Sequence, residues 1–318
     1  MPSARAKKSP TPQPSKAKVP QAGAKRLLVT GASGLVGRAF VRLARERGYE
    51  VAGISRTAKE GDIVWSPSEG KLDPAALEGA HAVIHLAGEN IIGRWNEGKK
   101  RAILESRRQG GDTLVKAIGA CANPPKILIS ASAQGYYGSK REGELDETAG
   151  PGENFVAEVC LQWEGSVYPA KELGVRVACL RIGIVLDREG GALAKMLPAF
   201  RAGAGGPLGS GRQMMSWIDS HDLARAFLHA VETESLEGPV NAVAPEALSN
   251  RDFTRELAGA LHRPAVLPVP PAALKLIYGQ MAEEVLLSDL HLVPRKLLAS
   301  GFAFDYPEIA SALNHHLS

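Results

Sequence analysis

The segment Thr30-Gly31-Ala32-Ser33-Gly34-Leu35-Val36-Gly37 stands between an apolar run at 26–30 and a helical stretch at 34–47, and this constrains the fold most. Glycines so spaced at a strand-to-helix junction permit a tight turn, a close backbone approach to a ligand, and close packing of helix on sheet. The helix start then offers free N–H groups and a positive dipole end to an anion. The spacing alone is a weak signal. Its place at the first junction of a repeating β/α pattern makes it specific.

Apolar runs at 50–55, 62–65, 81–86, 126–131 and 175–182 supply that pattern, separated by helical stretches at 97–120 and 154–173. Near-continuous apolar strands alternating with helices predict a doubly wound parallel α/β sheet covered on both faces, an NAD(P)-binding Rossmann fold. After residue 187 the pattern changes. A Gly-rich stretch at 203–211 leads to Trp217-Ile218, a helix at 220–232 and a strand at 240–243, which return to the sheet. The expected organisation is a dinucleotide-binding domain at 25–187 joined by 214–244, with 188–213 and 245–318 forming a small, mainly helical substrate cap. A Pro-rich, strand-like piece is expected at 264–271.

The net charge of +4 misleads, because residues 1–24 carry five basic residues and no acid, leaving the body near neutral. That balance gives no reason to expect nucleic acid as a partner. The tail, rich in Pro, Ser, Ala and Lys, should be disordered. It is read as a solvated extension, with a targeting peptide or a weak nucleic-acid arm as alternatives. No apolar run approaches the roughly 20 residues of a membrane span, so no membrane partner is expected. Cys121, Cys160 and Cys179 form no CxxC pair and read as buried thiols in a reducing cytoplasm.

The second apolar strand predicts the cofactor. NAD-specific folds place Asp or Glu at its end, about 20 residues past the glycines. Here the strand ends Ile54-Ser55-Arg56, with no acid before Glu60. A hydroxyl and a guanidinium suit a 2′-phosphate, which favours NADP(H); an ordinary loop arginine is the alternative. Leu86-Ala87-Gly88 ends the fourth strand, where small residues fit a backbone passing under the dinucleotide; a plain strand end is the alternative. His81 and His85 would be about 13 Å apart on a strand, too far for a shared metal. No other His/Cys/Asp group has ligand spacing, so no metal is expected.

Taken together, TGASGLVG, SR at 55–56, HLAGENI at 85–91, SASAQGYYG at 130–138, LRIGIVL at 180–186 and MLPAFRAGAGGPLGSGRQ at 196–213 carry a resemblance. The chain resembles the extended short-chain dehydrogenase/reductases, in the atypical epimerase-family branch of YfcH-type oxidoreductases, from about residue 26 to the C-terminus. The resemblance implies cofactor contacts from Ser55, Arg56, Leu86, Ala87 and Arg107. Arg107 is otherwise a solvated helix charge. Dimerisation through helices flanking the sheet is a further expectation of this kind.

Two departures from the family pattern bear on chemistry. Working members pair a Tyr with a Lys four residues on; aligned on Glu164, those positions hold Val156 and Cys160, which cannot exchange protons in that way. Tyr136 and Lys140 form a formal YxxxK, but Gly-rich surroundings predict a loop without helical stacking. Ser132 with Tyr136 or Tyr137, at the mouth of the site, is the acid–base expectation; the alternative is that the tyrosines only line the pocket. Sugar-nucleotide epimerases carry an Arg where Met215 stands, and His where Asp219 stands. A neutral Met cannot pair with a diphosphate, so Met214, Met215 and Trp217 predict an apolar pocket or core packing, with Arg212 as a stand-in or an exposed charge. The expected function is an NADP(H)-dependent oxidoreductase or epimerase-like protein acting on a small molecule. A non-catalytic NADPH-sensing or scaffolding protein is the alternative.

Overall fold

The structure, a computed structural model, describes residues 25–57 and 61–318, so the basic tail at 1–24 lies outside the described residues. Strand β1 (Arg26–Thr30) leads through the glycine loop to helix α1 (Leu35–Glu46) and back to β2 (Glu50–Ser55), which pairs parallel to β1. Strand β3 (Ile63–Ser66) extends that side and folds back as the short β4 (Lys71–Leu72). Strand β5 (Ala82–His85) instead lies on the other flank of β1. Helix α2 (Glu97–Gly119), β6 (Ile127–Ala133), β7 (Lys140–Leu145), α3 (Phe155–Val167) and β8 (Arg176–Ile182) follow.

Strand β9 (Ile184–Leu186), α4 (Gly191–Arg201), β10 (Met214–Met215), β11 (Trp217–Asp219), α5 (Ser220–Glu232) and β12 (Gly238–Ala242) come next. The central sheet runs β12-β8-β6-β5-β1-β2-β3-β4, parallel except for the terminal β3–β4 pair. Strand order therefore reverses at β1. A crevice for ligands opens at such a switch point, beyond the carboxyl ends of the strands.

Successive strand residues point to opposite faces, and here both faces are covered. Leu27, Val29, Ile84 and Ile129 join Phe40 of α1 and Phe227 of α5 in one core. Leu28, Val83, Leu128 and Val177 join Leu114 and Ile118 of α2 in the other. The apolar runs are continuous for this reason.

The C-terminal region adds β13 (Leu248–Ser249), α6 (Asn250–Leu261), α7 (Pro271–Tyr278), β14 (Asp289–Leu292), α8 (Arg295–Ala299) and α9 (Ile309–Leu317). Two local expectations change. The piece at 264–271 makes only the single bridge Leu208–Val269 and enters α7 at Pro271; Pro264, Pro268 and Pro270 cannot donate to a ladder. The segment after β6, expected as a loop, forms a turn at Gln134–Tyr137 and then β7, whose partner β14 lies far along the chain. Lys140 is exposed on β7, so Tyr136 and Lys140 share no helix. Cys121, Cys160 and Cys179 are free thiols, the last two buried. Among the described residues no helix is long and apolar enough to cross a membrane.

Candidate functional site

The glycine loop is built on backbone contacts that side chains would block. Gly31 sits at φ 70°, and a Cβ there would lie 2.9 Å from the Ala87 nitrogen and the Leu86 carbonyl carbon. The turn after β1 thus rests directly on the Leu86-Ala87-Gly88 segment that follows β5. Thr30 fixes the register: its Oγ1 accepts from the Leu86 and Ala87 N–H groups at 3.0 and 3.1 Å. Gly34 caps α1 without a side chain, and no acid occupies its first turn. Leu35, Val36 and Gly37 therefore open a helix whose first N–H groups have no intrahelical acceptor. Ser33 and Gly34 are exposed at the tip of the loop.

Below the loop, Thr30 Oγ1 lies 2.8 Å from His85 Nδ1. With its lone pairs taken by two N–H groups, the hydroxyl donates to Nδ1 and sets His85 as the Nε2–H tautomer. That ring is fully buried, edge-on between Trp65 and Trp163. Burial, and secondarily Arg107, pushes its pKa down to about 3. A histidine depressed in the folded state stabilises above its unfolded pKa near 6.5 and loses that contribution as pH falls toward 3. Wild type is expected to lose about 2 kcal/mol between pH 7 and 5 through this one group. Urea unfolding should show a shallower pH slope for His85→Gln; equal slopes would refute the assignment.

Ser55 and Arg56 stand at the carboxyl end of β2, the serine half-buried with its hydroxyl donating to the Thr57 carbonyl, the arginine exposed. Across from them, the Glu89 carboxyl is held below the usual range, first by a 2.6 Å bond from Lys99 and further by Arg56 and Arg107. Arg107 is not the solvated helix charge that was one reading of it. It is 8% exposed, donates to the Glu89 and Ile103 carbonyls at 3.0 Å each, and lies over the Trp163 ring. Its guanidinium carbon would be 3.2 Å from a Cβ on Gly88. Its Nε is buried without a partner.

The acid–base expectation divides on inspection. Ser132 lies within β6 rather than after it, buried, and donates to Glu164 Oε1 at 2.7 Å. Tyr137 does not reach a mouth of the site: it is fully buried, hydrogen-bonds Asn241 Oδ1 at 2.7 Å and accepts from Arg181. Burial pushes the Tyr137 pKa up to about 12 against the opposing pull of Arg181, so it is no base near neutral pH. Tyr136 is half-buried, its ring face 3.3 Å from the Arg181 guanidinium carbon. Helix α3 packs on this turn, with Val156 against Gly135 and Cys160 Sγ 3.6 Å from the Ala133 carbonyl. Burial raises the Cys160 pKa to about 11.

Glu164 and Arg181 were not singled out as site residues by sequence, yet they organise this cluster. Both are about 3% exposed, and their carboxylate and guanidinium meet in two bonds of 2.8 and 2.9 Å. Burial alone would lower the Arg181 pKa; Glu164, with Tyr137 behind it, holds it above its ordinary value. The available signal was an ionisable residue inside the apolar strand VRVACLRI.

Met215 and Trp217 are buried in a core with Leu186, Leu193 and Phe253, so the core reading of these residues holds, and Arg212 is exposed. Against the expectation that no further group had ligand spacing, Asp219 converges with His315 and His316, atoms all within 4.8 Å. Folding joins residues 96 positions apart, which sequence spacing does not reveal.

Comparison with known proteins agrees with this architecture. The family model for the NAD dependent epimerase/dehydratase family matches residues 27–243, and a domain of unknown function (DUF1731) matches 269–316. An epimerase family protein of Mycobacterium tuberculosis, MT2273, is 37% identical over 290 residues, covering 90% of this chain and 96% of that protein. The crystal structure of human epimerase family protein SDR39U1 (isoform 2) with NADPH superposes with a TM-score of 0.86 at 35% identity, covering 92% of this chain and 99% of that one. A nucleoside-diphosphate sugar epimerase of Corynebacterium glutamicum gives 0.78 at 33%, covering 93% of this chain and 58% of its own. The chain belongs to the NAD dependent epimerase/dehydratase family.

Proposed function

We propose that this chain binds NADP(H) and acts as an oxidoreductase on a small molecule, with Tyr136 as the group that exchanges a proton with the substrate. The observation that carries the reading is the open glycine loop packed on Leu86–Gly88, with Ser55 and Arg56 at the end of β2. The NADPH bound to the human relative supports it. Gly31, Ser33, Gly34, Leu35, Val36 and Gly37 would hold the pyrophosphate, by N–H groups and the helix dipole. Ser55 and Arg56 would take the 2′-phosphate, and Leu86, Ala87, Gly88 and Arg107 the middle of the dinucleotide. When bound, NADP(H) would supply hydride chemistry; Tyr136, partly exposed over Arg181, would give or take the substrate's proton. The segments after β9 and after β12 would cover the substrate, and three free thiols fit a cytoplasmic setting.

A specific observation favours a second reading, a cofactor sensor without turnover. Val156 and the buried Cys160 stand where the Tyr–Lys pair is expected, and Ser132 is committed to Glu164.

Titration of the protein with NADPH and NADH, followed by energy transfer from tryptophan to nicotinamide, tests the cofactor. Arg56→Ala is expected to weaken NADPH about 10–100-fold, the worth of a charge-assisted phosphate contact, and to leave NADH unchanged. Equal loss for both cofactors, or NADH binding as tightly as NADPH in wild type, would overturn the 2′-phosphate assignment. NADPH oxidation across a carbonyl panel separates the two readings: turnover abolished by Tyr136→Phe supports the enzyme, and binding with no turnover supports the sensor.

A further inference from the structure

Asp219 closes β11 and caps α5, its Oδ1 accepting from the His221 N–H at 2.7 Å. Its side chain is fully buried, and its second oxygen faces α9. There His315 Nδ1 lies 3.1 Å and His316 Nε2 2.9 Å from Oδ2. His316 is 6% exposed, and its Nε2 is buried without a hydrogen bond despite that short separation. The nitrogen is close to the carboxylate but not directed along a hydrogen bond to it. Two imidazole nitrogens and one carboxylate oxygen thus converge, all within 4.8 Å of one another.

We propose that Asp219, His315 and His316 form a binding site for one divalent transition-metal ion, zinc by ligand type, which fastens the C-terminal helix to the end of β11. Two imidazoles with one carboxylate are a borderline nitrogen and oxygen set that suits Zn²⁺. Ligand atoms held at about 2.0–2.2 Å from a tetrahedral ion lie roughly 3.4 Å apart, and the separations of 3.1 and 2.9 Å from Asp219 Oδ2 to the two imidazole nitrogens are close to that spacing. The carboxylate supplies the charge that two neutral imidazoles lack. His315 is held by its neighbours too: its ring stacks on Tyr306 at 4.2 Å with the planes 4° apart. Its side chain is 35% exposed, which leaves a solvent-facing side for a water as fourth ligand. His221 is occupied elsewhere, with Nε2 3.1 Å from Asp305 Oδ2. The proposal concerns α9 and β11 and does not depend on the cofactor reading.

The test is titration of the untagged, chelator-treated full chain with Co²⁺, read as visible ligand-field absorption, and with Zn²⁺ by calorimetry. One equivalent per chain with a tetrahedral cobalt spectrum is expected, together with a rise in melting temperature. Loss of a hydrogen-bonding partner behind a ligand already weakens metal binding about 10–100-fold. Loss of a ligand itself should therefore weaken it at least about 100-fold in His316→Ala and His315→Ala. His262→Asn, at an exposed position, should bind as wild type does. His315→Ala removes a partly exposed ring, so its fold can be checked by its melting curve without metal. Absence of stoichiometric binding, or equal binding by wild type and a folded His315→Ala, would overturn the proposal.

Discussion

Gly37→Ala is expected to lower NADPH affinity at least about 100-fold and to lower the melting temperature as well. An alanine Cβ at this position would lie 2.2 Å from the Gly31 carbonyl oxygen and 2.8 Å from Ala32 Cα. Both neighbours are backbone, so no side chain can turn aside, and the first turn of α1 must move off the loop. The N–H groups of Leu35 and Val36 move with it. Anion binding at a helix start depends on several N–H groups converging on one point, so a displacement of this size removes the bonds together. Gly165→Ala provides the control, because a Cβ at this helical position meets nothing within 4 Å. It should bind NADPH as wild type does and be neutral or slightly more stable, alanine being the better helix former. Binding within about threefold of wild type in Gly37→Ala would mean that the phosphates lie elsewhere.

The same loop shows what sequence can and cannot convey. Strands β1 and β2 and helix α5 fall where periodicity placed them, because strands buried on both faces and an amphipathic helix carry their signals locally. Gly31 and Gly37 stood out because their spacing at a strand-to-helix junction is a local signal. Gly37 packs on Gly31 and Ala32 nearby, whereas the close approach of Gly31 is to Leu86 and Ala87, far along the chain. The pairing of β7 with β14 was not legible, since it joins Lys140 to Asp289 and neither segment has a strong strand pattern. The buried cluster was legible only in part. Ser132 and the tyrosines lie in one motif and were found together. Glu164 on α3, Arg181 on β8 and Asn241 on β12 meet them only after the sheet has assembled. Burial also changed how two residues read: Tyr137 became a core group, and Arg107 lost its reading as a solvated helix charge, standing 8% exposed beside Gly88.

Glu164→Ala is expected to destabilise the protein by about 3–5 kcal/mol, the usual effect of leaving one member of a buried ion pair alone. Arg181 would keep its charge at 3% exposure, with its hydrogen bond to the Tyr137 hydroxyl, at 3.0 Å, but no carboxylate beside it. Ser132 would lose its acceptor too. Glu164→Gln keeps an oxygen for the hydroxyl and should cost less. This figure measures a stranded charge and says little about what the pair contributes. Taking both ions out of water has a penalty that their attraction often fails to repay, and apolar replacements of similar volume are frequently neutral. Glu164→Leu combined with Arg181→Met should therefore be more stable than Glu164→Ala alone, as read by urea unfolding. If the double variant is the less stable, the pair itself stabilises the fold. If it recovers as expected, stability is no reason for the pair to be there. What the pair then supplies is position: Arg181, which donates two bonds to Glu164, is held over the face of the Tyr136 ring. The recovered variant should accordingly bind NADPH normally and still lack any turnover that depends on Tyr136.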